Sequence, residues 1–260
     1  MPSEVSFVIN ADKTDAVKTV IVNEDGNYVP YWQQNDLLAV WIDAVGSTPS
    51  QFSNTSAQGR YASFEGTAAA TDGSHVIYAV YPASCFKEAG RDNAIQVTLP
   101  AVQNPSATSF DPAADILVAT PESIEVSSSS ANVSSMAFKR CMNVLRIIPK
   151  DLTTGSVLAS EAVSSVKFSA EGCSLAGDVT VNPSTGELSN WSNTSSSLTA
   201  NFTDGELTGI DGANTVFFSV APGVIESGTP LEFVITTENR TITRHAKAPA
   251  DMNLEAGKLA

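Results

Sequence analysis

Histidine and basic residues are scarce in this chain. His75 and His245 are the only two histidines in 260 residues, and Lys plus Arg number 14 against 28 Asp plus Glu. The net charge is −14, and no Lys/Arg cluster offers a patch from which a nucleic acid could displace counterions. The same charge opposes adsorption to an anionic membrane surface. Charged residues of both signs make up only 16% of the chain, against a usual ~25%. No run approaches the ~20 apolar residues of a membrane-spanning helix, and Met1-Pro2-Ser3-Glu4 lacks the basic-then-apolar start of a secretion signal. The three cysteines, Cys85, Cys141 and Cys173, lie far apart, and no CxxC pair exists for a zinc ribbon or a thioredoxin-type site. They are expected as small buried hydrophobes, with one disulfide plus a free thiol as the alternative.

Catalytic signatures are missing as well. There is no GxSxG, GxxxxGK[ST], HExxH or GxGxxG. His75 follows a Gly-Ser turn and His245 lies in a polar terminal strand, so both are expected to be exposed, and no Ser/His/Asp triad follows from them. Asp204-Gly205-Glu206, Asp211-Gly212, Asp12 and Asp15 do not match calcium-loop spacing and read as acidic turns. The expectation is therefore no catalytic residue, no cofactor, no bound metal and no nucleic-acid partner.

What the chain has in quantity is β-forming sequence. It is 42% hydrophobic, and Ser plus Thr supply about a fifth of it. Short β-branched and aromatic runs recur between Gly, Asn, Asp, Pro and Ser. They include Val5–Asn10, Lys18–Val22, Leu37–Val45, Val76–Tyr81, Ala94–Leu99 and Ile116–Thr120. Further along come Met136–Ile148, Ala162–Ala170, Thr215–Val220, Leu231–Thr237 and Thr241–His245. Many strands at close spacing read as an all-β sandwich. In the first, Val5, Phe7 and Ile9 alternate with Ser6, Val8 and Asn10, which predicts a strand with one buried face. Asp25-Gly26 is a hairpin signal, and Asp72-Gly73 and Thr185-Gly186 are read the same way.

The sharpest break in composition is Val126-Ser127-Ser128-Ser129-Ser130-Ala131-Asn132, which reads as a linker. The predicted organisation is an N-terminal β-sandwich over 1–126, a Ser-rich linker over 127–132 and a C-terminal β-sandwich over 133–260. In Met136–Ile148 the apolar phase shifts by one residue, which implies a bulge or a strand serving two surfaces. Of the tryptophans, Trp41 alternates with Leu37 and Ala39 and is expected in a core. Trp191 lies in a polar stretch, Ser189–Ser197, expected to be a loop, and is the candidate sugar platform.

The ordered motifs resemble those of the fimbrillin-like proteins of Bacteroidales. Lys18-Thr19 followed by Trp32, Asp36, Leu38 and Val40 is similar to the "K-T … W-x-x-x-D-x-I-x-V" segment. Arg60-Tyr61 with Phe64-Glu65-Gly66 resembles the next stretch, and Tyr78-Ala79-Val80-Tyr81-Pro82 resembles "Y-A-x-Y-P". Leu99-Pro100-Ala101-Val102-Gln103 resembles "L-P-x-x-Q", and Asp115-Ile116-Leu117-Val118-Ala119 resembles "D-x-L-V-A". Phe138 to Arg146 resembles "F-x-H-x-x-S-x-L-R", with Lys139-Arg140-Cys141 in place of the histidine region. Leu175-Ala176-Gly177, Val220-Ala221-Pro222 and Ala256-Gly257-Lys258 complete the series.

The resemblance implies two tandem transthyretin-like β-sandwich domains in a surface lipoprotein, pilus subunit or adhesin. It would be exported to the outer membrane or a fimbrium. Its partners would be other fimbrial subunits or a host surface ligand, met by strand complementation. Membrane attachment would be through a lipid alone, where the precursor carries a lipobox. An arginine-specific cut after the first strand finds no site, since Arg60 is the first arginine and Lys13 and Lys18 the only basic residues nearby. The interaction residues so implied are Val5, Phe7 and Ile9 of the first strand, and Leu254 and Leu259 at a C-terminal edge. In the family "A-G-K" leads into a further apolar strand, and here only Leu259 and Ala260 follow, so the last domain is expected to lack a strand. The alternative function is carbohydrate binding at Trp191.

Overall fold

The computed structural model describes residues 3–11, 20–24, 27–43, 48–89, 94–127, 130–150, 160–203, 207–208 and 214–260. Among these there is no α-helix. The strands begin β1 Ser3–Ala11, β2 Val20–Glu24, β3 Asn27–Tyr31, β4 Leu37–Ile42, β5 Ser50–Asn54, β6 Ala62–Ala70, β7 Gly73–Tyr81 and β8 Phe86–Ala89. They continue with β9 Ile95–Leu99, β10 Val102–Gln103, β11 Leu117–Ala119, β12 Glu122–Val126, β13 Ser130–Met136, β14 Phe138–Arg140, β15 Asn143–Ile147 and β16 Val163–Ala170. The last are β17 Ala176–Val181, β18 Leu188–Ser195, β19 Ser197–Asn201, β20 Val216–Val220, β21 Gly223–Ile225, β22 Pro230–Thr237, β23 Thr241–Lys247 and β24 Met252–Leu254. The expected all-β, sandwich-like class is what the chain adopts.

Two compact units are present, and neither is a contiguous run. The first comprises 1–98, 115–141 and 178–191; the second comprises 99–114, 142–177 and 192–260.

In the first unit, hydrogen-bonded neighbours run β13-β1-β6-β5-β4-β7-β11-β14, and β12 also pairs with β7. The two ends of this path, β13 and β14, are one stretch of chain interrupted only at Ala137. The sheet therefore folds back on itself and encloses its apolar face. Trp32, fully buried, sits at the centre, edge-on to Phe64, Tyr81 and Phe138 with ring centroids 5.2, 5.6 and 5.4 Å away. Edge-to-face contacts of this kind add to the stabilisation from burial. Phe7 and Phe52 pack 6.0 Å apart, and Gly66 opposite Phe7 leaves the room: a Cβ there would lie 2.4 Å from the Phe52 ring. β2 and β3 pair antiparallel with Glu24 opposite Asn27, and the hairpin signal Asp25-Gly26 lies outside the described residues.

In the second unit a five-stranded sheet runs β10-β19-β16-β22-β23, accompanied by the pairs β15-β20 and β21-β24. Val166 and Phe168 of β16, Leu198 and Ala200 of β19, and every residue of β20 are buried.

Four expectations need correction. The serine run does not separate the units. β12 before it and β13 after it belong to the same sheet, and Ser127 and Ser130 exchange backbone hydrogen bonds. The reason is alternation: Val133 and Met136 point inward while Ser130, Asn132, Ser134 and Ser135 face solvent, so a half-polar strand has the composition of a linker. Met136–Ile148 is not one strand but the end of β13, then β14 and β15, and the chain passes between units at Cys141–Met142. Asp72-Gly73 turns the chain from β6 to β7, but these strands are not neighbours, since β5 and β4 lie between them. Ser189–Ser197, expected as a loop, is largely β18.

Candidate functional site

β1 is the most completely enclosed of the predicted interaction elements. Antiparallel β6 pairs with it along its whole length, from Ser3 opposite Ala70 to Ala11 opposite Ala62. Parallel β13 pairs with its other side from Ser6 to Ala11. Val5, Phe7 and Ile9 are 1%, 1% and 0% exposed, so the alternation read from the sequence is the buried face. The strand fills a slot between β6 and β13, and its side chains supply part of the core.

The C-terminal residues lie along another edge. Leu254 ends β24 and is buried, and β24 pairs with β21. Leu259 runs parallel beside Val144 and is 43% exposed. Val144 N–H donates to the Lys258 carbonyl at 2.9 Å, Ala260 N–H to the Val144 carbonyl at 2.8 Å, and Arg146 N–H to the Ala260 carbonyl at 2.8 Å. Lys258–Ala260 thus occupy the side of β15 opposite β20. Trp191 is half-buried on β18, next to Asn190, whose φ is 53°.

Several polar residues without a role in the sequence reading have defined partners. Asp115, fully buried, receives Arg140 Nε at 2.6 Å and Nη2 at 2.9 Å, a bidentate pair. Buried Gln103 pairs with Ser219 in the second unit. His75, expected as an exposed loop or strand residue, lies in β7 with its side chain only 11% exposed. Its Nδ1 meets Asp43 and its Nε2 faces the Thr71 carbonyl at 2.8 Å. The pairing with Asp43 is the main cause of a raised pKa, followed by the Thr71 carbonyl. Cys85, Cys141 and Cys173 are free thiols. Burial pushes Cys141 up to about 12 and Cys85 higher, which keeps both as thiols.

Ser169, Glu232 and His245 stand directly across neighbouring strands in that order. They line a pocket of about 300 Å³ with Glu171, Ser196, Pro230 and Leu231. A nucleophilic triad needs the imidazole next to the hydroxyl. Here the carboxylate stands between them, 3.9 Å from His245 and 3.5 Å from Lys167, and His245 is 74% exposed. Among the described residues no group of three or more His, Cys, Asp or Glu is placed to hold a metal. The acidic turns at 204–206 and 211–212, and Asp12 and Asp15, lie outside the described residues.

Strand edges and buried strand faces are the equipment of a protein that works through contact with other chains. The sequence belongs to the fimbrillin-like family, whose model matches residues 19–259. A candidate cell adhesion protein from Bacteroides uniformis is similar in structure, at 15% identity over 93% of this chain and 83% of its own, with a TM-score of 0.50. A second candidate cell adhesion protein, from Bacteroides fragilis, shares 8% identity over 99% of this chain and 91% of its own, with a TM-score of 0.54. At these identities the likeness is one of fold. No curated protein matches the sequence.

Proposed function

We propose that this chain is an exported cell-surface fimbrial subunit or adhesin, acting by strand complementation between polypeptides and not by catalysis. The observation that carries the reading is the seat of β1. A single N-terminal strand fills a slot between β6 and β13, and Val5, Phe7 and Ile9 provide its buried face. Backbone hydrogen bonds on both sides of such a slot accept any strand, and the pockets select its alternate side chains. A strand from a neighbouring subunit with the same alternation would fit once β1 is released. The second contact is the C-terminal stretch that covers β15, where Leu259, 43% exposed, lies beside Val144 and Leu254 anchors the approach. Partners are other fimbrial subunits or a host surface ligand. Attachment to the outer membrane is through a lipid where the precursor carries a lipobox.

The test is a protein with a protease site inserted between β1 and β2. After cleavage, a labelled peptide of residues 3–11 should replace β1, and a variant with Val5, Phe7 and Ile9 changed to Ser should not. A cleaved protein that neither takes up the peptide nor forms oligomers would sink the reading. Carbohydrate binding is the second reading, supported by the partial exposure of Trp191. Glycan binding abolished by Trp191→Ala would favour it.

A further inference from the structure

β23 ends the five-stranded sheet. β22 pairs with it on one side, and among the described residues nothing pairs with it on the other. Seven extended residues, Thr241–Lys247, therefore offer a row of outward backbone groups. Open edges are usually blunted by a proline, a bulge, brevity or charged side chains, and of these β23 has only the charges. Here the register with β22 runs without a shift from Thr236 opposite Thr241 to Pro230 opposite Lys247, and no proline falls within the strand.

The local charge is opposite to that of the molecule. The chain carries −14, yet Arg240 to Ala250 contains no Asp or Glu and includes Arg240, Arg244, His245 and Lys247. Arg240 is held by Glu161 at 2.6 Å. Arg244 and Lys247 have no carboxylate partner among the described residues. Registration puts Ile242 and Arg244 on one face, opposite Ile235 and Phe233, and His245 and Lys247 on the other. Phe233, Ile235 and Ile242 are only half-buried, so apolar ground extends to the edge.

We infer that β23 is a docking edge for an extended acidic segment of a partner polypeptide, added as a sixth strand. Backbone pairing supplies the addition, the half-buried apolar side chains accept alternate residues, and the cations choose the charge. In the centred register, pairing two copies of β23 in either direction sets Arg244 against Arg244, with no acid in either strand to offset the repulsion. The edge thus rejects its own kind and accepts acidic strands.

The test is a titration of the whole protein with a nine-residue peptide alternating Val and Glu, and with a control peptide bearing Lys for every Glu. The Glu peptide should bind and slow hydrogen exchange at alternate amides of Thr241–Lys247. Its affinity should fall by about tenfold as salt rises toward 0.5 M. Arg244→Glu with Lys247→Glu should reverse the preference, with an unchanged melting temperature as the control for folding. Should that variant fail to fold, the salt dependence and the Lys peptide decide the matter on the unaltered protein. Equal binding of the two peptides, or binding without alternate amide protection, overturns the proposal. A polyuronate that binds as well as the peptide also overturns it, since it has no strand to add. The titration uses the uncleaved protein, in which β1 keeps its seat between β6 and β13, and it reads the amides of Thr241–Lys247, so it is distinguishable from exchange at β1.

Discussion

The side-chain amide of Gln103 holds the backbone of Ser219 as a neighbouring strand would. Nε2 donates to the Ser219 carbonyl at 2.7 Å, and the Ser219 N–H donates to Oε1 at 2.9 Å. The same nitrogen also reaches the Pro100 carbonyl at 3.1 Å. All of this is buried, so the Ser219 groups have no solvent to turn to if the amide is lost. Gln103→Leu should cost about 2–4 kcal/mol in urea unfolding, because it strands a buried donor and acceptor. Faster hydrogen exchange at the Ser219 amide would localise the loss, and an unchanged stability would contradict it.

Phe7→Ala should destabilise the protein by about 3–5 kcal/mol, the usual cost of removing a buried aromatic ring. Ser6→Ala, a neighbour on the other face of the strand, should change stability by less than about 0.5 kcal/mol. Equal effects at the two positions in denaturant unfolding would show that β1 is not seated by its alternate residues.

Asp115 and Arg140 should behave as a unit. Asp115→Leu or Arg140→Met alone leaves a buried charge without its partner and should cost about 3–5 kcal/mol. The double variant should lose less than either single change, since no charge is then left unpaired. Simple additivity in the double-mutant cycle would show that the pair is not coupled.

His75 should make stability depend on pH above neutrality. Its folded pKa is raised, first by the hydrogen bond with Asp43 and then by the Thr71 carbonyl. A raised pKa means that the stabilisation is complete below the ordinary value of about 6.5 and is lost as pH rises through the folded value. Asp43 is shifted the other way: burial, the largest effect, raises its pKa, but the hydrogen bonds from His75 and the Val76 N–H, together with the His75 charge, outweigh it and lower the pKa. Its contribution is lost only as pH falls below the ordinary carboxylate range. The urea midpoint should therefore fall as pH rises above about 6.5, and His75→Gln should flatten that fall. An unaltered profile in the variant would assign the dependence elsewhere.

The strands were legible wherever local pattern decides them. Val5, Phe7 and Ile9 declared a buried face by their alternation. Partnership was not legible. β1 pairs with β13 across more than 120 positions, and nothing in the serine-rich sequence of β13 announces that Val133 will sit beside Ile9. Asp43 and His75 meet from 32 positions apart, so the histidine read as an exposed residue. At β23 the polar strand was visible, but its place at the end of a sheet is a property of topology. Strand propensity is local, whereas sheet order is set by which apolar faces can be enclosed together.

The closure of the first sheet by residues 130–140 also fixes a timetable. β1 precedes its parallel partner β13 by more than 120 residues. Until then β1 can pair only with β6, and the slot has one wall. Such long loop closures are slow to form. The unit then still needs residues 178–191, which follow β13 by more than 40 positions. A growing chain built this way therefore keeps the slot beside β1 one-walled until all the intervening strands have been made.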